Sequence, residues 1–191
     1  MSDRVPIPFH VLFLCTGNSA RSLIGEAVLR DMNDAVGGGR FRAFSAGSKP
    51  VGAPHPDALA ELDFRGVSTD GLRSKSWDEF SGEDAERIDL VITVCDAAAE
   101  ETCPVFHGTG VRAHWPLPDP AAVENDEARK RAFSDVFEIM RKRIDRLVRL
   151  PTASLEERQA IQPIANETKP NIHPNDYPDD IGLGLEPKPR R

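Results

Sequence analysis

The chain alternates short apolar runs with segments whose apolar residues recur at helical spacing. Val11, Leu12, Phe13 and Leu14 form an unbroken run, as a strand buried on both faces would. Leu23, Ile24, Ala27 and Val28 follow at helical spacing. After Gly37, Gly38 and Gly39, residues Arg40 to Ser45 read as a second strand with Phe41, Ala43 and Ser45 on one face. Pro56 opens a helix with Ala58, Leu59 and Leu62 as its apolar stripe, and Gly66 closes it. Gly71 to Glu86 is polar, with Trp77 and Phe80 as anchors of a short helix. Ile88 to Val94 is the strongest strand signal, and Val111 to Trp115 predicts a fourth strand. A long helix is expected over Asp126 to Leu150, where Phe133, Val136, Phe137, Met140, Ile144 and Leu147 share one face. Strands separated by helices predict an α/β fold with a parallel sheet.

Beyond Pro151 the pattern fades. Ser154 and Glu157 form a capping box that would start one more short helix, and from Pro163 prolines and acidic residues dominate. The expected organisation is one domain over residues 1–150, a segment 151–165 able to form that helix, and an extended or disordered tail over 166–191. A length of 191 residues suits one such domain with an appendage.

A net charge of -7 argues against nucleic-acid binding. Three cysteines do not describe a disulfide scaffold and suggest a reducing cytosol, hence a cytoplasmic protein. The apolar approach to Cys15 is short and interrupted by Pro6, Pro8 and His10. Bulky Phe13 and Leu14 stand where a leader's processing site wants small residues. No stretch approaches the ~20 apolar residues of a membrane span.

The chemistry concentrates where the first strand ends. Cys15, Thr16, Gly17, Asn18, Ser19, Ala20, Arg21 and Ser22 form a small-residue loop opening directly into a helix. Such a loop offers backbone N–H groups at the positive end of the helix dipole, a cup for a tetrahedral oxyanion. A cysteine there is expected to have its pKa lowered to roughly 3.5–7.5 and to act as a nucleophile. Arg21 supplies a planar fork for two oxygens of the anion, and Ser22 a hydrogen bond to the thiolate. Asn18 tolerates the left-handed backbone and can brace the loop. The third strand also ends on a cysteine, Cys95. Strand ends of a parallel sheet share one rim, so Cys15 and Cys95 are expected near each other. Asp119 lies in a stiff Pro-flanked loop, residues 116–120.

Val11–Ser22 (VLFLCTGNSARS), Val91–Phe106 (VITVCDAAAEETCPVF) and His114–Ala121 (HWPLPDPA) resemble the low-molecular-weight tyrosine phosphatase superfamily and, within it, the arsenate reductases. The resemblance covers about Pro8 to Leu150 and implies a three-layer fold, a four-stranded parallel sheet flanked by helices. It implies that residues 16–22 hold arsenate, with phosphate or sulfate as analogues, that Cys15 attacks arsenic, and that Asp119 is the general acid. It further implies a relay: Cys95 attacks Cys15 and expels arsenite, then Cys103 attacks Cys95. Thioredoxin or glutaredoxin with glutathione would reduce the final disulfide, with no cofactor and no metal. Zinc held by Cys95, Cys103, His107 and His114 is disfavoured, because seven residues separate the two cysteines.

The alternatives are a phosphotyrosine phosphatase and a non-enzymatic thiol sensor. The first needs neither Cys95 nor Cys103, and its members carry aromatic side chains at the mouth where Asp119 is followed here by Pro120, Ala121 and Ala122. The second lacks a recognition helix or basic face. Thioredoxin-coupled members hold potassium beside the loop. Asn18, Glu26 and Ser45 match its ligands, whereas Lys75 falls where an aspartate would be. Lys75 is thus either an ammonium paired with Glu26 in place of the ion or an ordinary surface lysine.

Overall fold

A computed structural model describes residues 8–100, 104–108, 110–151 and 158–167. Four strands, β1 (Phe9–Cys15), β2 (Phe41–Gly47), β3 (Leu90–Thr93) and β4 (Val111–His114), form one parallel sheet in the order β2-β1-β3-β4. The connecting helices are α1 (Arg21–Ala35), α2 (Pro56–Phe64), α3 (Asp96–Glu100) and α4 (Asp126–Arg149), followed by α5 (Arg158–Ile161) and α6 (Pro163–Glu167). Trp77–Phe80 and Pro120–Ala122 are single 3-10 turns.

Alternation along the strands divides the core in two. Val11, Phe13 and Cys15 of β1 and Leu90 and Ile92 of β3 face α1, α2 and α4 in the larger cluster. Leu12, Leu14 and Val91 face the other way, onto Phe80, Ile88 and Phe106. The second face is covered by a 3-10 turn and loops, so the third layer is thin. On the thick side Phe133, Met140, Ile144 and Leu147 of α4 are fully buried. Helix α1 packs so closely on β1 that a Cβ at Gly25 would lie 2.8 Å from the Phe13 ring. This contact fixes the strand and helix that flank the loop between them.

Three features differ from the sequence pattern. Helix α3 is not expected from it, because a five-residue helix is too short for periodicity to register. β1 begins at Phe9 and takes in His10, whose amide donates to the Asp89 carboxylate at 2.9 Å. Arg158–Ile161 and Pro163–Glu167 are helical, the second running into the expected tail, with Ile161, Ile164 and Ala165 buried against the main core. Ser154, Glu157, Cys103 and residues 168–191 lie outside the described residues. Among the described residues no helix is long and apolar enough to cross a membrane.

Candidate active site

The register pairs Cys15 with Gly47 and Leu14 with Thr93, so β1, β2 and β3 end on one rim. β1 and β3 are neighbours, yet β1 leads to α1 and β3 leads to α3. The crevice between diverging connections of an open parallel sheet is where ligands bind. Cys15 and Cys95 both line it, with Arg21, Asp119, Leu117 and Val51, around a cleft of about 390 Å³.

The loop is held from outside by the segment after β2. Ser48 N donates to Cys15 O (3.3 Å), Lys49 N to Thr16 O (2.9 Å), Val51 N to Gly17 O (3.0 Å) and His55 N to Ser19 O (2.8 Å). A loop whose carbonyls are taken on its outer side turns its amides inward. Gly47 makes this approach feasible, since a Cβ there would stand 2.4 Å from Thr16 O. The sequence pattern missed this strap. Its signal is the Gly/Pro-rich stretch directly after a strand parallel to β1.

Asn18 sits inside the loop, fully buried and with φ +43°, a left-handed conformation that asparagine accepts more readily than most residues. Its amide N–H donates to Cys15 Sγ at 3.1 Å, and Ser22 Oγ lies 2.9 Å from the same sulfur. Helix α1 starts at Arg21 with no side-chain cap and no acidic residue in its first turn. By contrast His55 caps α2 and Asn125 caps α4. The N-terminus facing the cleft is left for an anion.

The sulfur itself departs from expectation. Burial pushes the Cys15 thiol up, and its pKa lies above the ordinary value rather than below it. The Ser22 hydroxyl, the Arg21 guanidinium and the Asn18 amide oppose that rise, while Cys95 adds to it. Cys15 is only 3% exposed, so lost hydration outweighs the local donors.

Arg21 reaches across the cleft: Nη1 donates to Leu117 O at 3.1 Å and Nη2 to Asp119 Oδ2 at 2.8 Å. The other Asp119 oxygen accepts from Ala121 N at 3.1 Å, capping the 3-10 turn. The root of this loop is anchored by Arg143, which donates to Trp115 O (2.9 Å) and Pro116 O (3.1 Å). Burial lowers that guanidinium's pKa to about 10.

Cys95 is 6% exposed and sits at the start of α3, with Thr16 Oγ1 3.6 Å from its sulfur. The next residue, Asp96, is tied to His114 Nε2 at 3.1 Å, and His114 Nδ1 to Thr93 Oγ1 at 2.8 Å. Cys15, Arg21, Ser22, Asp119 and Cys95 are thus brought together, while Cys103 lies outside the described residues. Among the described residues no group of three His, Cys, Asp or Glu side chains is placed to hold a metal ion.

The profile of the low molecular weight phosphotyrosine protein phosphatases matches residues 10–160. An arsenate reductase of Halalkalibacterium halodurans is 33% identical over 135 residues, 70% of this chain and 91% of that protein. The solved structure of an arsenate reductase from Archaeoglobus fulgidus is 26% identical, covering 71% of this chain and 98% of that one, with a TM-score of 0.52. A thioredoxin-dependent arsenate reductase from Corynebacterium glutamicum is 27% identical over 75% of this chain, also with a TM-score of 0.52; this chain spans 61% of its length. The protein belongs to the low molecular weight phosphotyrosine protein phosphatase family.

Proposed function

We propose that the protein is an arsenate reductase serving arsenic detoxification. The observation that carries this reading is the second thiol, Cys95, in the wall of the cleft that also holds Cys15 and Arg21. Ester hydrolysis needs one nucleophile, an anion cradle and an acid; it gives Cys95 no task. Reduction of arsenate needs two electrons, and two thiols supply them.

Arsenate binds in the loop of residues 16–22, with Arg21 turning from Asp119 to the anion. The sulfur of Cys15 attacks arsenic, an S–As bond forms and an As–O bond breaks. The thiol and the arsenate monoanion thereby become a covalent thiol–arsenate adduct and one water. Asp119, once released by Arg21, takes up the Cys15 thiol proton and delivers it to the departing oxygen. Cys95 then attacks the Cys15 sulfur, the S–As bond breaks and its electron pair stays on arsenic. The Cys95 thiol proton passes to an arsenic-bound oxygen, so the products are arsenite and a Cys15–Cys95 disulfide. Arsenic gains the two electrons that the two sulfurs lose. We assign Cys103 the next exchange, which frees Cys15 and leaves Cys95–Cys103 for an external dithiol. Likeness to the thioredoxin-dependent relative favours thioredoxin as donor over glutaredoxin with glutathione. A cytoplasmic setting would keep these thiols reduced.

Family membership keeps phosphotyrosine hydrolysis as the second reading. The cleft disfavours it, since among its described lining residues, with Val51 and Leu117 the larger apolar ones, none is aromatic to stack on a phenol. Multiple-turnover arsenite release by purified protein, with thioredoxin and with glutaredoxin plus glutathione in separate reactions, tests the proposal. Release with at least one donor is expected. Release with neither, beside rapid aryl phosphate hydrolysis, would favour the phosphatase.

A further inference from the structure

Behind the anion loop, on the side away from the cleft, three polar side chains are buried together. Glu26 of α1 is 6% exposed, Ser45 of β2 is fully buried, and Lys75 is 8% exposed. Lys75 Nζ lies 3.2 Å from Glu26 Oε2, 3.5 Å from Ser45 Oγ and 3.2 Å from Arg73 O. It is no surface lysine. Its backbone is joined to the site as well: Lys75 N donates to Asn18 Oδ1 at 2.8 Å, and Gly47 N donates to Lys75 O at 2.9 Å.

Donor and acceptor bookkeeping gives this cluster a direction. An ionised carboxylate only accepts, so the single Ser45 hydroxyl proton goes to Glu26 Oε2, at 2.5 Å. Ser45 Oγ is then an acceptor toward its other partners, and Asn18 Nδ2 donates to it at 2.9 Å. The Asn18 amide cannot be flipped, because its Oδ1 accepts the Lys75 N–H. The other Nδ2 proton goes to Ser22 Oγ, also at 2.9 Å. Having accepted there, Ser22 has its own proton free for Cys15 Sγ, 2.9 Å away. Either atom of that last pair could donate by distance alone; the chain behind it selects Ser22.

We propose that Lys75 is a positioning residue whose ammonium, bound to the same Glu26 oxygen that accepts from Ser45, sets the direction of a hydrogen-bond chain, Glu26–Ser45–Asn18–Ser22, that ends in donation to the Cys15 sulfur. Without the ammonium to hold it, Glu26 Oε2 is free to turn away and release the Ser45 hydroxyl. The Ser45 proton would then meet an Asn18 N–H, and the amide would have to turn, losing Lys75 N and its grip on Ser22. Two other cations act on Glu26. Arg30 Nη1 is 3.8 Å from Oε1, and Arg73 is attracted to it through space. Lys75 reaches Oε2, the oxygen that Ser45 uses. The groups facing the sulfur itself are Arg21 and Cys95, with Asp96 and Asp119 in the same cleft.

The proposal rests on Cys15 as the nucleophile but not on arsenate as the substrate, and the test uses no arsenate. Iodoacetamide alkylation of the Cys15 peptide, resolved by mass spectrometry across pH, reads the thiolate fraction in the full-length protein, in Lys75→Met, Lys75→Arg and Ser45→Ala. Lys75→Met and Ser45→Ala are expected to slow Cys15 alkylation at neutral pH by about tenfold, the equivalent of one pKa unit. Lys75→Arg, which keeps the charge, should alkylate close to the wild-type rate. If Lys75→Met does not fold, Ser45→Ala decides, since it removes hydrogen bonds and no charge. A folded Lys75→Met or Ser45→Ala with lowered melting temperature but an unchanged Cys15 alkylation profile would overturn the proposal and leave the cluster purely structural. Failure of arsenite release with the expected alkylation shifts would remove the reductase reading and leave this one standing.

Discussion

Arg21 Nη2 stands 2.8 Å from Asp119 Oδ2, so in the free protein the arginine proposed to grip the anion is held by a carboxylate of the opposite cleft wall. The pair is polar and partly open: the Arg21 side chain is 15% exposed and Asp119 41%. An oxyanion entering the loop competes with Asp119 for the same guanidinium. On the proposed mechanism Asp119 has two roles, as competitor before binding and as proton donor after it.

The two roles separate in Asp119→Asn. Turnover should fall by roughly 10²- to 10⁴-fold, the range for loss of a positioned general acid. Affinity for phosphate or sulfate, measured by calorimetry, should rise, because the amide no longer competes for Arg21. A variant that loses turnover and anion affinity together would show Asp119 to be holding the loop instead.

The relay is tested by substitution. Cys103→Ser should complete one turnover and accumulate a Cys15–Cys95 disulfide while failing to cycle with thioredoxin. Cys95→Ser should release no arsenite unless a small thiol such as glutathione takes its place. Mass spectrometry of quenched reactions distinguishes them. Normal cycling of Cys103→Ser would remove Cys103 from the chemistry.

Burial of Cys15 has a thermodynamic consequence with a definite sign. Its pKa is raised in the folded state, so the native protein keeps the thiol proton to higher pH than the unfolded chain does. The associated stability is full below the ordinary thiol value, ~8.5, and is lost as pH rises through the folded value. Urea unfolding of wild type and Cys15→Ser from neutral to alkaline pH should show a loss in the wild type that the serine variant lacks. Parallel curves would mean that the thiol ionises no later in the fold than out of it.

The Lys75–Glu26 pair predicts indifference to the monovalent cation. An ammonium already lies 3.2 Å from Glu26 Oε2, so exchanging potassium for sodium at constant ionic strength should leave turnover and melting temperature unchanged. Lys75→Ala should destabilise by about 3–5 kcal/mol, since a buried carboxylate loses its partner. Potassium-specific stabilisation of the wild type would contradict this.

The centre of the site was legible because its signals are local. An unbroken apolar strand, Val11 to Leu14, ends on Cys15, small residues follow, and a helical stripe begins at Leu23. Asp119 was legible from the prolines around it. What escaped depends on tertiary placement. The strap over Ser48–His55 is defined by its hydrogen bonds to residues 15–19, which no spacing encodes. Helix α3 is too short to be seen as a period. The raised Cys15 pKa comes from depth, contributed by elements far along the chain, whereas a strand–loop–helix pattern suggests only the donors that lower it. Lys75 shows the limit most clearly: the sequence leaves two readings open, an ammonium paired with Glu26 or a surface lysine, and only burial against β2 and α1 selects the first.

The most direct test of the central claim is a single turnover without any external reductant. Fully reduced protein mixed with arsenate should release one arsenite per chain and lose two thiols, with a disulfide joining Cys15 to Cys95 or, after exchange, Cys95 to Cys103. Three intact thiols and no arsenite, in protein that hydrolyses an aryl phosphate, would contradict the account.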